Sequence, residues 1–187
     1  MANLRDIRRR IRSAGNIQQI TRAMKFVSAA RLRKAQERVI AARPYARQMV
    51  AVLNSIATRV PEQAHPLLAQ HGDRKIELVV ITADRGLCGA YNTNIIRQTL
   101  EFMGEHSGQE IELNILGKRG RDFFRRRAFP VRHEATGVLQ KPSFADAAAI
   151  AKDLIEDFVN GGKDQVWLVY NEFKSVVQQI VVIEPLL

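Results

Sequence analysis

Residues 20–36, ITRAMKFVSAARLRKAQ, show most clearly which structure the first part of the chain forms. The stretch holds five basic side chains and no acidic one, and its apolar residues recur every three or four positions. This spacing predicts an α-helix with an apolar face and a positively charged face. The stretch shows no catalytic arrangement of its own, so its purpose has to be sought in the rest of the chain.

The positive charge of the chain is concentrated at its beginning. Over all 187 residues, 29 basic and 19 acidic residues give a net charge of +10. Residues 1–60 carry 14 basic residues against two acidic ones, or +12, so the remainder is close to neutral at −2. This asymmetry predicts a basic arm that meets an acidic partner, joined to a nearly neutral globular part.

The arm, residues 1–60, is predicted to be one long basic amphipathic helix from about Asn3, a suitable N-cap, to about Thr58. At 1.5 Å per residue it is roughly 80 Å long, far outside the usual globular range. Pro44 predicts a kink or an early end, because proline disrupts helix interiors. The apolar stripe shifts around the helix and needs a partner helix to cover it. This helix-pairing seam includes Leu4, Ile7, Ile11, Ile17, Ile20, Val27, Leu32, Ala35 and Val39.

A different pattern follows the arm. Residues 61–74 contain two prolines and a glycine and are predicted to be a linker. Residues 75–187 alternate between strand and helix patterns, which predicts a small Rossmann-like α/β domain with a mostly parallel sheet and one antiparallel edge. We predict strands at 76–83, 111–116, 129–134, 166–171 and 176–184, and helices at 92–105, 119–127 and 143–159.

The most enzyme-like stretch is DRGLCGAYN, residues 84–92, because doubly wound folds bind phosphates in the loop after the first strand. Its glycines do not complete the dinucleotide pattern G-x-G-x-x-G. A tight turn with Cys88 as a small buried residue is therefore favoured. The paired carboxylates Glu156 and Asp157 are expected on a solvated helix face. With scattered histidines and one cysteine, the sequence predicts no catalytic site, no metal site and no cofactor.

The basic arm leaves other uses open. A nucleic-acid-binding protein is the alternative interpretation, because phosphate neutralisation needs little beyond Lys and Arg. Against it, the first 60 residues contain two aromatic side chains, Phe26 and Tyr45, so base stacking would be poor. Anionic membranes also attract basic amphipathic helices, but the bulky aromatic side chains that favour such binding are nearly absent from the arm. No apolar run of the chain approaches the roughly 20 residues that cross a bilayer. A partner helix together with an acidic protein surface explains both faces of the arm.

Four segments carry a resemblance to a known family. They are LRDIRRRIRSAGNIQQITRAMKFVSAARLRKAQ at the start, ADRGLCGAYNTNI after the first strand, the short GKRGRDFF, and YNEFKSVVQQ near the end. In this order they resemble the gamma subunit of the rotary F-type ATP synthase, and the likeness runs through essentially the whole chain.

The resemblance implies a fold and a role. The N-terminal helix would form half of an antiparallel coiled coil, a rotor shaft inside the hexamer of alpha and beta subunits. The α/β domain would sit at its foot beside the epsilon subunit and the c-ring, and proton-driven rotation would drive conformational change in the catalytic beta subunits. The subunit itself would be non-catalytic. The residues implied to contact the acidic loops of beta are Met24, Lys25, Arg31, Arg33 and Lys34.

The resemblance also implies a location and a difference. Family members continue past a stretch like VVIEPLL into a long C-terminal helix, so we expect this chain to be a fragment that lacks the second shaft helix. The protein is expected on the cytoplasmic face of the bacterial inner membrane, held there peripherally. It would bind no nucleic acid and would meet the membrane indirectly, through the c-ring.

Overall fold

The chain forms two compact units that divide between Val60 and Pro61. The structure is a computed structural model and describes residues 3–61 and 64–187. The first unit is a helix, and the second contains a five-stranded sheet with helices on both faces. The predicted α/β class, with a long N-terminal helix and a small Rossmann-like domain, is confirmed.

Helix α1, Leu4–Ala57, is continuous over 54 residues. The Asn3 side chain accepts a hydrogen bond from the Arg5 N–H, as an N-cap should. Pro44 lies inside the helix and does not end it, so the predicted early end is wrong. A proline removes one intrahelical hydrogen bond, and the bonds before and after it are enough to carry the helix through. None of the described residues of α1 is buried.

The second unit follows the predicted alternation of strands and helices. Its sheet contains five strands, with bounds that differ by up to three residues from the prediction: β1 Lys75–Ile81, β2 Glu110–Leu116, β3 Val131–Ala135, β4 Gln165–Phe173 and β5 Gln179–Pro185. Its helices are α2 Tyr91–Glu105, α3 Lys118–Arg125 and α4 Phe144–Val159. Ser143 caps α4 in a capping box with Asp146, which fixes where this helix begins.

The strand order in the sheet is β3-β2-β1-β4-β5. The first three pairings are parallel, and β4 and β5 form the predicted antiparallel hairpin at one edge. β1 is the central strand, and both of its faces are covered. Its apolar sequence suits this position, because a strand that is covered on both faces has little contact with water. The first two parallel strands end at the edge where the loops before α2 and α3 begin, so the DRGLCGAYN loop and the start of α3 lie close together.

Two apolar layers enclose the sheet. On one face, Leu78, Leu113 and Phe124 belong to a buried cluster that α2 and α3 complete. On the other face, Val79 and Phe158 belong to a second cluster under α4. Alternate residues of each strand enter opposite layers, as the strand period of two requires. The core of the chain therefore lies in residues 64–187.

Residues 64–74, within the predicted linker, make contacts of their own. A short 3-10 helix, Pro66–Leu68, places Leu67 against the apolar cluster under α4. The ring of His71 meets Phe158 edge-on, with 4.4 Å between ring centroids. This part of the chain is packed within the second unit.

Two expectations about individual residues were wrong. Cys88 is exposed rather than buried, because it lies in the loop before α2 and belongs to neither apolar cluster. Its Sγ accepts a hydrogen bond from Asn92 Nδ2 at 3.1 Å. Asp157 is not a solvated partner of Glu156, since its carboxylate pairs with Arg132 of β3. Arg132 also binds the fully buried Glu77 at 3.0 Å, so Asp157 belongs to a charge network between α4 and the sheet.

Candidate partner-binding surface

The surface of α1 displays apolar and basic side chains with few acids to oppose them. Among the described residues of α1, Asp6 pairs with Arg9 at 3.3 Å and Glu37 pairs with Arg33 at 3.0 Å. Both pairs are exposed, where such pairs contribute little to stability. The remaining basic residues leave a strongly positive helix, and such a field favours association with an acidic surface.

The predicted seam is exposed along its whole length. Leu4 is 64% exposed, Ile20 is 59% exposed and Leu32 is 42% exposed. Because α1 is continuous, an ideal helical period places Ile20 roughly 160° and Leu32 roughly 280° around the axis from Leu4. The apolar stripe therefore shifts around the helix, as the sequence pattern predicted. Every described seam residue is available to a partner.

The predicted contact residues for an acidic partner are all exposed, but they do not share one face of α1. Met24 and Arg31 are seven residues apart and lie roughly 20° from each other, on the side of the seam. Lys34 lies next to Arg31, one turn along the helix. Lys25 and Arg33 point to other sides, roughly 100° and 180° from Met24. A single flat contact therefore cannot engage all five, whereas a surrounding surface can.

Sequence reasoning missed two exposed apolar side chains of α1 that lie outside the predicted seam. Phe26 is 64% exposed and Ile40 is 60% exposed. By helical period Phe26 points roughly 180° from Ile17 and Ala35, which lie in the seam. Both residues depart from the apolar periodicity of the seam, and this departure could have identified them from the sequence. Apolar side chains are therefore exposed on more than one face of α1, and exposed apolar surface is typical of contact with another molecule.

The DRGLCGAYN loop is held by hydrogen bonds at the end where a doubly wound fold would seat a phosphate. The Asp84 carboxylate accepts from the N–H groups of Lys118 and Gly137, each at 3.0 Å. The Thr82 hydroxyl oxygen accepts from the Gly120 N–H at 2.8 Å. At Gly117, with φ 105°, an added Cβ would lie 2.1 Å from the Thr82 carbonyl oxygen. These groups clamp the carboxyl ends of β1 and β2, which supports the tight-turn interpretation.

Within residues 3–61 and 64–187, no helix combines the length and the hydropathy that crossing a bilayer requires.

Comparison with known proteins gives the family. The family model described as ATP synthase matches residues 3–187. A gamma chain of ATP synthase from Solibacter usitatus is 51% identical over 96% of this chain and 64% of its own length. The gamma chain from Desulfitobacterium hafniense is 48% identical over 96% of this chain and 63% of its own length. The chain thus spans a little under two thirds of these relatives.

Solved structures agree with the sequence comparison. The central stalk and c-ring structure of the Tetrahymena thermophila mitochondrial ATP synthase contains a chain with 28% identity and a TM-score of 0.72, covering 90% of this chain and 72% of that one. A rotor structure from Euglena gracilis, at 20% identity and a TM-score of 0.59, covers 96% of this chain and 60% of that one and supports the fold alone. The chain therefore belongs to the ATP synthase family, and the relatives that it matches there are gamma chains.

Proposed function

We propose that this chain serves in the central rotor shaft of an F-type ATP synthase, where it couples proton-driven rotation to conformational change in the catalytic alpha–beta hexamer. The observation that carries the proposal is α1 itself: 54 continuous helical residues, none of the described ones buried, with an apolar seam and a large excess of positive charge. A shaft needs such an element, which transmits torque along its length and presents different side chains around its axis.

The seam is proposed to pack against a second long helix in an antiparallel coiled coil. Isolated helices gain little stability from backbone bonding alone, so a helix of this length depends on packing of its apolar stripe. Small side chains such as Ala35 and Ala42 in the seam allow a neighbouring backbone to approach closely. Because the stripe shifts around α1, the paired helices would curve around each other and form an asymmetric shaft.

The basic residues near the middle of α1 are proposed to meet acidic loops of the beta subunits, as the family resemblance implies. Since Met24, Lys25 and Arg33 point to different sides, they suit a cavity that surrounds the shaft. A single exposed ion pair contributes about 0–1 kcal/mol, so no one arginine should determine the coupling. Shape and stiffness of α1 would transmit most of the torque.

The second unit is proposed to contact the epsilon subunit and the c-ring, and the protein would be a non-catalytic, peripheral component at the cytoplasmic face of the bacterial inner membrane. The clamped loop ends at Asp84 and Thr82 support a non-catalytic domain, because their polar groups are engaged in hydrogen bonds within the fold.

The proposal is tested by association with a purified alpha–beta hexamer. We expect the chain to co-purify with the hexamer, and a cysteine placed at Lys25 to form a disulfide with cysteines in the acidic loops of beta. The exposed thiol of Cys88 would compete in that reaction, so the experiment uses a Cys88→Ser background.

A charge-reversal pair separates a local contact from general attraction. Arg31→Glu with Lys34→Glu should weaken association more than Arg38→Glu with Arg47→Glu, which changes the charge of the same helix equally. Failure of the chain to bind the hexamer under conditions in which a full-length gamma chain binds would refute the proposed role. Equal losses in the two double variants would refute the assigned contact but not the role.

A further inference from the structure

A cleft of about 580 Å³ lies between the loop after β1 and helix α3. Gly86 and Gly89 contribute from the loop, and Arg119, Arg126 and Arg127 contribute from α3 and the residues that follow it. Neither the clamp at Asp84 nor any surface of α1 takes part. The cleft thus uses residues of the DRGLCGAYN loop other than the clamped Asp84.

The three arginines bring positive charge that is not neutralised within the fold. In residues 3–61 and 64–187, no carboxylate forms an ion pair with Arg119, Arg126 or Arg127. Asp122 also lines the cleft, but Arg121 binds its carboxylate at 2.9 Å. That hydrogen bond, together with the charge of Arg121, Lys118 and Arg126, holds the pKa of Asp122 below its ordinary value. The local field is therefore positive.

Two of the arginines, Arg119 and Arg127, are also held in place. An added Cβ at Gly86 would lie 2.6 Å from a guanidinium nitrogen of Arg119, so Arg119 rests directly on the loop backbone. The Arg127 guanidinium lies 3.9 Å from the centroid of the Phe123 ring, and its Nη1 donates to the Phe123 carbonyl at 3.4 Å. Guanidinium groups fixed in this way lose less freedom when they bind an anion.

The loop adds backbone donors. Among the described residues, none accepts a hydrogen bond from the N–H groups of residues 86–89. Leu87 has φ 60° and is 96% exposed, an uncommon backbone conformation for this residue. Left-handed residues in a loop allow neighbouring N–H groups to converge on an anion. The cleft thus combines unpaired guanidinium groups with unpaired backbone donors.

We propose that this cleft binds a phosphate group, with Arg119, Arg126 and Arg127 as charged donors and the 86–89 backbone as neutral donors. Planar guanidinium groups bind phosphate oxygens in pairs, and several donors around one cleft suit a ligand with three or more acceptor oxygens. Phe123 and Ile96 give the cleft an apolar side that accommodates the group carrying the phosphate. Free phosphate compounds and lipid headgroups share this chemistry.

The first experiment titrates the ¹⁵N-labelled 187-residue chain with pyrophosphate at physiological salt. We expect the amide signals of residues 86–89 to shift, and the shifts to saturate. Arg119→Gln with Arg126→Gln should weaken binding by at least about tenfold, because two charge-assisted contacts are lost. Lys118→Gln is the matched control, since it removes a positive charge from the same helix without lining the cleft, and it should change affinity by less than about threefold.

A second arm distinguishes the sources of the phosphate. ADP is titrated in the same way, and flotation is measured with vesicles containing an anionic phospholipid. Loss of ADP binding in the double variant identifies a soluble phosphate compound, and loss of flotation identifies a headgroup. The proposal is overturned if pyrophosphate shifts amides of α1 rather than residues 86–89, if the double variant and Lys118→Gln behave alike, or if an acidic peptide binds the cleft while none of the phosphate probes does.

Discussion

Replacement of Arg132 by methionine tests the charge network between α4 and the sheet. Glu77 is fully buried on β1, and its carboxylate binds Arg132 at 3.0 Å and Asn114 at 3.2 Å. Arg132 also pairs with Asp157, so one guanidinium neutralises two carboxylates on different elements. Methionine keeps much of the side-chain volume and removes the charge. The substitution would leave Glu77 buried beside Asp157 with no cation between them.

The expected cost follows from the burial of Glu77. Breaking a buried ion pair by removing one partner costs about 3–5 kcal/mol, because the remaining charge is left unsolvated. Asn114 still donates one hydrogen bond to Glu77, so the lower end, about 3 kcal/mol, is expected. For a unit of this size, each kcal/mol shifts the melting temperature by roughly 4 °C. Arg132→Met should therefore melt on the order of 12 °C lower.

Urea and thermal unfolding followed by tryptophan fluorescence measure this cost. Trp167 is the single tryptophan and lies on β4, 5.2 Å from the Phe102 ring, so its signal reports on the second unit and not on α1. Arg125→Met is the matched control, because it breaks a pair with Glu134 in which Arg125 is 70% exposed. Its expected cost is below about 1 kcal/mol.

A double variant adds a direct test of the cause. Glu77→Gln with Arg132→Met removes the buried charge as well as its partner, so it should be more stable than Arg132→Met alone by at least about 1 kcal/mol. The reasoning is refuted if Arg132→Met costs no more than Arg125→Met, or if neutralising Glu77 recovers nothing.

Three further substitutions address the close approach of β1 to β2, a tyrosine of β4 and the long helix. Gly117→Ala should destabilise the second unit by about 3 kcal/mol or more, since its Cβ would lie 2.1 Å from a carbonyl oxygen. Gly104→Ala is its control in helix α2, where an added Cβ meets nothing within 4 Å, and should stabilise the unit by up to about 1 kcal/mol. Burial, and then a hydrogen bond with Glu184, raises the pKa of Tyr170 to about 12. The unfolded chain loses this proton first, so the free energy of unfolding should fall between about pH 10 and pH 12. Tyr170→Phe should remove that part of the decline. Gly15→Ala should increase the helix signal at 222 nm and stabilise α1 by about 1 kcal/mol.

Each of these expectations has a contrary outcome. Equal stability of Gly117→Ala and Gly104→Ala in urea would mean that the backbone relaxes around the added methyl group. An unchanged slope of stability against pH in Tyr170→Phe would assign the decline to other groups. A lower helix signal in Gly15→Ala would show that the glycine makes a favourable bend in α1.

The elements of the second unit could be predicted because their signals are local. A continuous apolar run gave β1, and Ser143 gave the start of α4, where the structure shows a capping box that satisfies backbone donors within four residues. The chain order of strands, with a final pair too close for a crossover, indicated a parallel sheet with an antiparallel edge. These features need no knowledge of distant contacts.

Features that depend on distant contacts could not be predicted. Asp157 looked solvated because its partner Arg132 lies on another element, and Glu77 inside an apolar strand gave no sign of the cation that neutralises it. Cys88 looked buried because cysteine usually is, whereas its exposure is set by the path of one loop. Pro44 was predicted to kink the helix or end it early, whereas α1 continues through it to Ala57. The basic residues that line the cleft beside α3 can be read from the sequence. The cleft itself could not be predicted, because the loop after β1 forms its other side.

The two units satisfy their apolar surfaces in different ways. The second unit buries residues such as Leu78 and Phe158 between its own sheet and helices, so the apolar contacts that stabilise it are made within residues 64–187. In α1 the described apolar residues stay exposed, and the helix gains nothing comparable from its own fold. A helix in that position derives its order from whatever covers its seam. We infer that substitutions in the second unit should act mainly on folding, whereas substitutions in the α1 seam should act mainly on assembly.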